Sequence, residues 1–123
     1  MDRTQWTEKI MEACKEAGTY RPFFDDVIET LGDILSRRDE AREMFVESGG
    51  NVLVNHTNKA GATNVEQNPC LRLINDLNRD ALAYWRDLGL TPAGYKRLNL
   101  EAAQAKSNDG FEKILSQLIT GNG

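Results

Sequence analysis

The 123-residue chain reads as a mainly α protein built on a long helical hairpin. A short extended or β-hairpin excursion is expected between the hairpin helices, with short helices at the N- and C-termini. Three observations predict this. Apolar residues recur at three- and four-residue spacing over four segments. Cap residues, first-turn prolines and trailing glycines punctuate those segments. One stretch, residues 51–67, is instead rich in β-branched residues and turn formers.

The first helix is expected over residues 3–17. Asp2 and Gln5 have capping-box spacing, Trp6, Ile10, Cys14 and Ala17 share a face, and Gly18 ends it. The second runs from residue 22 to about residue 47, with Phe24, Val27, Ile28, Leu31, Ile34, Leu35 and Phe45 as its apolar stripe. Asp25, Asp26 and Glu29 suit the positive end of its dipole. Gly32 weakens it by about 1 kcal/mol relative to Ala, and Ser48, Gly49 and Gly50 stop it. Such a helix spans roughly 40 Å at about 1.5 Å per residue. That length in a small domain points to a hairpin partner.

In the middle, "NKAG" (residues 58–61) can turn a hairpin, with residues 52–57 on one side and 62–66 on the other. A plain loop is the alternative. The third helix starts at Asn68, a cap, and Pro69, its first position. Ile74, Leu77, Ala81, Tyr84 and Leu88 form a heptad-like seam flanked by Leu71 and Trp85. Arg72, Arg79 and Arg86 alternate with Asp76, Asp80 and Asp87, the pattern of a solvated face laced with i,i+3 and i,i+4 pairs.

A corner follows. Gly89 suits a helix C′ position, Thr91 a cap and Pro92 a first turn. This is either a packing elbow or the turn of a helix-turn-helix. A recognition helix offers polar side chains near its N-terminus, whereas Ala93 and Gly94 can read little, which favours the elbow, pinned by Leu90 and Leu98. The next helix is expected to be short, residues 92 to about 98. Residues 99–109 are small and polar and read as a linker or frayed helix, and residues 109–119 as an amphipathic helix, before "TGNG" ends the chain. The division expected is a helical core domain, 1–99, then a linker and terminal helix, 100–123.

Composition bounds the function. The net charge of −4 excludes a general polyanion binder. Residues 1–56 carry 7 basic and 12 acidic side chains, and residues 57–123 carry 8 and 7, so any nucleic-acid contact is a local patch. Neither an apolar run of about 20 residues nor a signal-peptide h-region is present, so a cytoplasmic location is expected. Cys14 and Cys70 read as small buried hydrophobes rather than a bridge.

Catalytic signatures are missing from the sequence. There is no phosphate-cradling G-x-x-x-x-G-K-[ST] and no G-x-S-x-G elbow to support His56, the one histidine. Zinc would have to recruit Cys14, Cys70 and His56 from distant segments. Asp25, Asp26 and Glu29 could hold magnesium, but a helix N-terminus explains them more simply. No enzyme activity, metal or cofactor is expected.

Three pieces in series carry a resemblance: "HTNKAGATN" (56–64), "NPCL" (68–71) and "ALAYWRDLGLTPAGYKRLN" (81–99). Over roughly residues 22–99 the chain resembles the small terminase subunits of tailed bacteriophages, the P27-type family. There a helix, a Gly-rich extended stretch, an Asn-Pro helix start and a Leu-Gly-Leu-Thr-Pro corner follow in the same order. The resemblance implies a ring-forming homo-oligomer that recognises viral double-stranded DNA. It also implies an adaptor that recruits and regulates the large terminase, the ATPase and nuclease. The acidic charge, and an N-terminus without a clear helix-turn-helix, depart from a DNA-binding pattern. Alternatives are a small helix-turn-helix transcription regulator and a helical protein–protein adaptor.

Three patches are candidates for DNA. Lys96 and Arg97 rank first. Arg37 and Arg38, with Arg42, are diluted by Asp39, Glu40 and Glu43, and the excursion offers His56 and Lys59 with Asn55 and Asn58. Leu77, Tyr84 and Trp85 are candidates for the oligomer interface, with core burial the alternative for Trp85. Phe111, Ile114, Leu115 and Leu118 are expected to meet a sister subunit or the large terminase.

Overall fold

A computed structural model gives the fold. The structure describes residues 1–120; the last three residues of "TGNG" lie outside the described residues. Helix α1 (Arg3–Ala17) leads through a 3₁₀ turn (Pro22–Phe24) into α2 (Asp25–Glu47). Strands β1 (Leu53–Thr57) and β2 (Thr63–Gln67) follow, then α3 (Pro69–Asp87) and α4 (Pro92–Thr120). The expected mainly α fold with a hairpin excursion is the fold observed.

Local chemistry sets the element ends. The Asp2 carboxylate accepts from Gln5 N at 2.8 Å while the Gln5 side chain accepts from Asp2 N at 2.9 Å, a complete capping box. Helix α2 stops where Gly49 N donates to Val46 O and Gly50 N to Phe45 O.

Helix α2 lies between α1 and α3. Its antiparallel pairing with α1 is marked by the Met1 amino group reaching Asp39, with Gly32 abutting Thr7 further along. A β-carbon on Gly32 would lie 2.6 Å from Thr7 Oγ1, so the glycine that weakens α2 also lets α1 approach closely. Helix α3 returns antiparallel on the other side, with Arg38 facing Asn78 and Ser48 facing Asn68. Ile10 and Cys14 of α1, Ile28, Leu31 and Leu35 of α2, and Ala81 and Leu88 on the α3 side form one core, each at most 2% exposed. Fully burying such an aliphatic side chain contributes about 1.5–3 kcal/mol. Both cysteines are free, and burial pushes the Cys14 thiol up against an opposing contact from Thr19.

The excursion is a β-hairpin, with Asn55 opposite Val65 and Thr57 opposite Thr63. Its turn includes "NKAG" and Ala62. The Asn58 side chain accepts from Ala60 N and Ala62 N, both at 3.0 Å, and Gly61 takes a positive φ of 87°.

The C-terminal region departs from expectation. In place of a short helix and a second helix separated by a linker or frayed stretch, α4 is one continuous helix of 29 residues. Residues 99–109 contain no proline or glycine and several Ala, Leu, Glu, Gln and Lys, all strong helix formers. Small and polar residues there mark an exposed helix, not a break.

Candidate functional site

The corner after α3 fixes where α4 begins. Gly89 takes φ 73°, a left-handed conformation that a β-carbon disfavours. Its N–H donates to Arg86 O at 3.0 Å and that of Leu90 to Trp85 O at 2.8 Å, which closes α3 with a Schellman motif. Thr91 Oγ1 then accepts from Gly94 N at 3.1 Å, capping α4. Gly94 is buried, and a β-carbon there would overlap the Arg86 carbonyl oxygen. Leu90 packs on the core, and Leu98 lies against Gly89. The first turn of α4 therefore packs its Gly94 side on the chain's own α3, as a packing elbow does.

Beyond that turn Lys96 and Arg97 are exposed. Arg97 Nη2 lies 3.8 Å from Asp87 Oδ1, a solvent-facing pair, and Lys96 makes no ion pair among the described residues. Both head groups are accessible to an anion. Beside them, Thr19, Arg21, Phe23, Phe24, Leu98 and Ala102 line a cleft of about 230 Å³ between the α1–α2 connection and α4.

His56 and Lys59 lie at the far end, on the hairpin. Both are exposed, and His56 Nδ1 is 3.9 Å from Glu66 Oε1. The hairpin is largely solvated, with Leu53 61% and Val65 65% exposed on the same face.

The α2 arginines separate. Arg37 is exposed. Arg38 is not a free cation: its guanidinium sits 5.5 Å from the Trp6 ring centroid, donates to Asn78 Oδ1 at 3.3 Å and lies 3.6 Å from Asp39. Asp39 also accepts from Trp6 Nε1 at 2.8 Å and pairs with the Met1 amino group at 3.0 Å. Burial alone pushes its carboxyl up. The Trp6 N–H, the amino terminus and Arg38 outweigh that and hold it below its ordinary value.

Sequence reading placed Trp6 on an apolar face and Arg38 in a surface patch, and so missed this cluster. It also read Asn68 only as a cap. Asn68 is 3% exposed; its Oδ1 accepts from Cys70 N at 3.0 Å while its Nδ2 donates to Asn51 O at 3.0 Å and Ser48 Oγ at 3.4 Å. Its backbone N–H reaches Val52 O at 2.8 Å, so one side chain ties α2, the hairpin base and α3 together. The Asn-Pro signal was visible, but the partners come from 17 and 20 residues away.

Of the expected interface residues, Leu77 is 8% exposed inside the chain's own helix pair, and Tyr84 and Trp85 pack partly buried on its core. The strongest uncovered stripe is elsewhere. On α4, Phe111, Ile114, Leu115 and Leu118 are 63, 57, 41 and 65% exposed. Among the described residues no three His, Cys, Asp or Glu gather as a metal site, and no helix is long and apolar enough to cross a membrane.

Residues 3–105, from α1 through the hairpin and elbow into α4, match the protein family described as phage terminase, small subunit. The chain belongs to the phage terminase small-subunit family. No curated protein and no solved structure matches it. The role of this small subunit is therefore in phage DNA packaging, and the family is in general a non-catalytic packaging component. The hairpin, the Asn68 tie and the elbow all fall inside the matched span, whereas the apolar stripe of α4 lies beyond it.

Proposed function

We propose that this small subunit is a homo-oligomeric DNA-recognition adaptor. It holds viral double-stranded DNA in the host cytoplasm and presents it to the large terminase, regulating that ATPase and nuclease without breaking bonds itself. Residues 1–99 act as the core unit. Residues 100–123 act as its protein-binding extension.

The observation that carries the DNA side is the placement of Lys96 and Arg97. They stand exposed on the first turns of a helix whose start is held by buried Gly94 and the Schellman turn. Cations on a positioned helix suit phosphates. His56 and Lys59 supply a second, smaller contact. On an acidic chain one such patch is weak, but copies repeated in an oligomer sum phosphate contacts into avidity.

The test is duplex-DNA affinity measured across salt concentrations for the wild type and for Lys96→Ala/Arg97→Ala. The expected result is a log–log salt slope shallower by about two for each engaged subunit in the double variant. An unchanged slope removes this patch from the interface, and a wild type that never shifts DNA removes the DNA role.

A further inference from the structure

We infer that the cleft between the α1–α2 connection and α4 binds one unpaired nucleotide of single-stranded DNA. This is a second ligand beside the duplex proposed above, and different residues hold it.

Phe23 is the stacking platform. Its ring is 76% exposed on the cleft wall. It is also held in place. The 3₁₀ turn that starts at Pro22 fixes its backbone. The Phe24 ring packs on the core and meets Phe23 edge-on, with centroids 4.8 Å apart and planes at 72°. A fixed, exposed aromatic ring suits a nucleobase, because every base has a π face to stack.

Size limits the occupant. The cleft holds about 230 Å³, less than the roughly 300–1,000 Å³ of sites that enclose drug-sized ligands. A single planar ring system suits that volume better than a whole nucleoside triphosphate.

Charge selects an anion. Arg21 is the one charged residue that lines the cleft. It is exposed and makes no ion pair among the described residues; its Nη1 donates to Tyr20 O at 2.7 Å. On the α4 wall, Asn99 is exposed, and its amide both donates and accepts, as the edge of a base requires. Lys106 follows the cleft residue Ala102 by four positions, so it continues the same row roughly 6 Å further along the helix. It too is exposed, and it makes no ion pair among the described residues, with Asp109 or any other acid. Glu101 sits about 160° round the helix from Asn99. An apolar peptide would answer only the Phe23 ring. A base with its phosphates answers the ring, the amide and both cations.

Fluorescence anisotropy on the full chain tests this with a labelled short oligothymidylate, which has no pairing partner, and with a duplex for comparison. The wild type should bind the oligothymidylate. Phe23→Ala should weaken that binding about 5- to 150-fold. Duplex affinity and the unfolding transition should stay unchanged, because the ring is exposed. Phe23→Tyr should bind as the wild type does. Arg21→Ala/Lys106→Ala should make the log–log salt slope for the oligothymidylate shallower by about 1.4. A wild type that ignores the oligothymidylate overturns the site. So does a Phe23→Ala chain that binds it normally, or one that loses oligothymidylate and duplex alike. Thymidine monophosphate that competes at the oligothymidylate's own affinity also overturns it, by making the cleft a pocket for free nucleotides. A chain that binds the oligothymidylate through Phe23 but never shifts duplex leaves the cleft standing and removes only the duplex reading.

Discussion

Trp6 Nε1 donates a 2.8 Å hydrogen bond to Asp39 Oδ2 across the α1–α2 interface. With Arg38 and the amino terminus, it holds the Asp39 carboxyl below its ordinary value despite the opposing effect of burial. A carboxylate depressed in the folded state contributes stability above its unfolded value, and that contribution is lost as pH falls through the folded value. Thermal unfolding of the wild type should therefore lose stability more steeply than Asp39→Asn as pH drops below about 4. Asp39→Asn should also be the less stable protein at pH 7. Parallel curves would remove the cluster from the acid response.

Arg37 and Arg38 should part company in a denaturant titration. Arg38 is engaged with Trp6, Asn78 and Asp39, and Arg38→Ala should cost about 1–3 kcal/mol. Arg37 is exposed, and Arg37→Ala should stay within about 0.5 kcal/mol of the wild type. Equal effects would contradict the assignment of Arg38 to packing.

Gly94 and Gly110 make a contrasting pair in one helix. A β-carbon at Gly94 overlaps the Arg86 carbonyl, whereas one at Gly110 meets nothing within 4 Å. Gly94→Ala should destabilise by about 1–3 kcal/mol through overpacking. Gly110→Ala should gain up to about 1 kcal/mol of helix stability. Calorimetry reads the first and circular dichroism the second, and a stabilised Gly94→Ala would contradict the elbow.

Asn68 is both a cap and a tie. Asn68→Ala should cost about 1–2 kcal/mol for the cap alone, and more because Asn51 O loses a donor in a buried place. Asn68→Asp can still cap but turns that donor into a second acceptor, so it should not rescue. Full stability of Asn68→Asp in thermal melts would show that Nδ2 contributes nothing.

The helices and their stops were legible because their signals are local. The apolar stripe of α2, Pro69 after Asn68 and Gly89 before Thr91 each act within a few residues, and each marks the element found. The same holds for the core, where Ile10, Ile28, Leu31 and Leu88 follow from spacing alone. What escaped were contacts between distant residues, Trp6 with Asp39 and Asn68 with Ser48. Composition left one stretch open: residues 99–109, readable as a linker or a frayed helix, are helix. For the candidate site, periodicity identified the α4 stripe but could not show which side of α4 faces the body. Leu77, apolar and in register with the seam, gave no sign that its own chain would bury it.

Native mass spectrometry of the full chain at tens of micromolar, with and without a short DNA duplex, reads assembly and DNA retention together. The expected spectrum is a closed oligomer of one stoichiometry, in multiples of 13.8 kDa, that retains duplex at low salt. A spectrum of 13.8 kDa monomer alone, carrying no DNA, would contradict it.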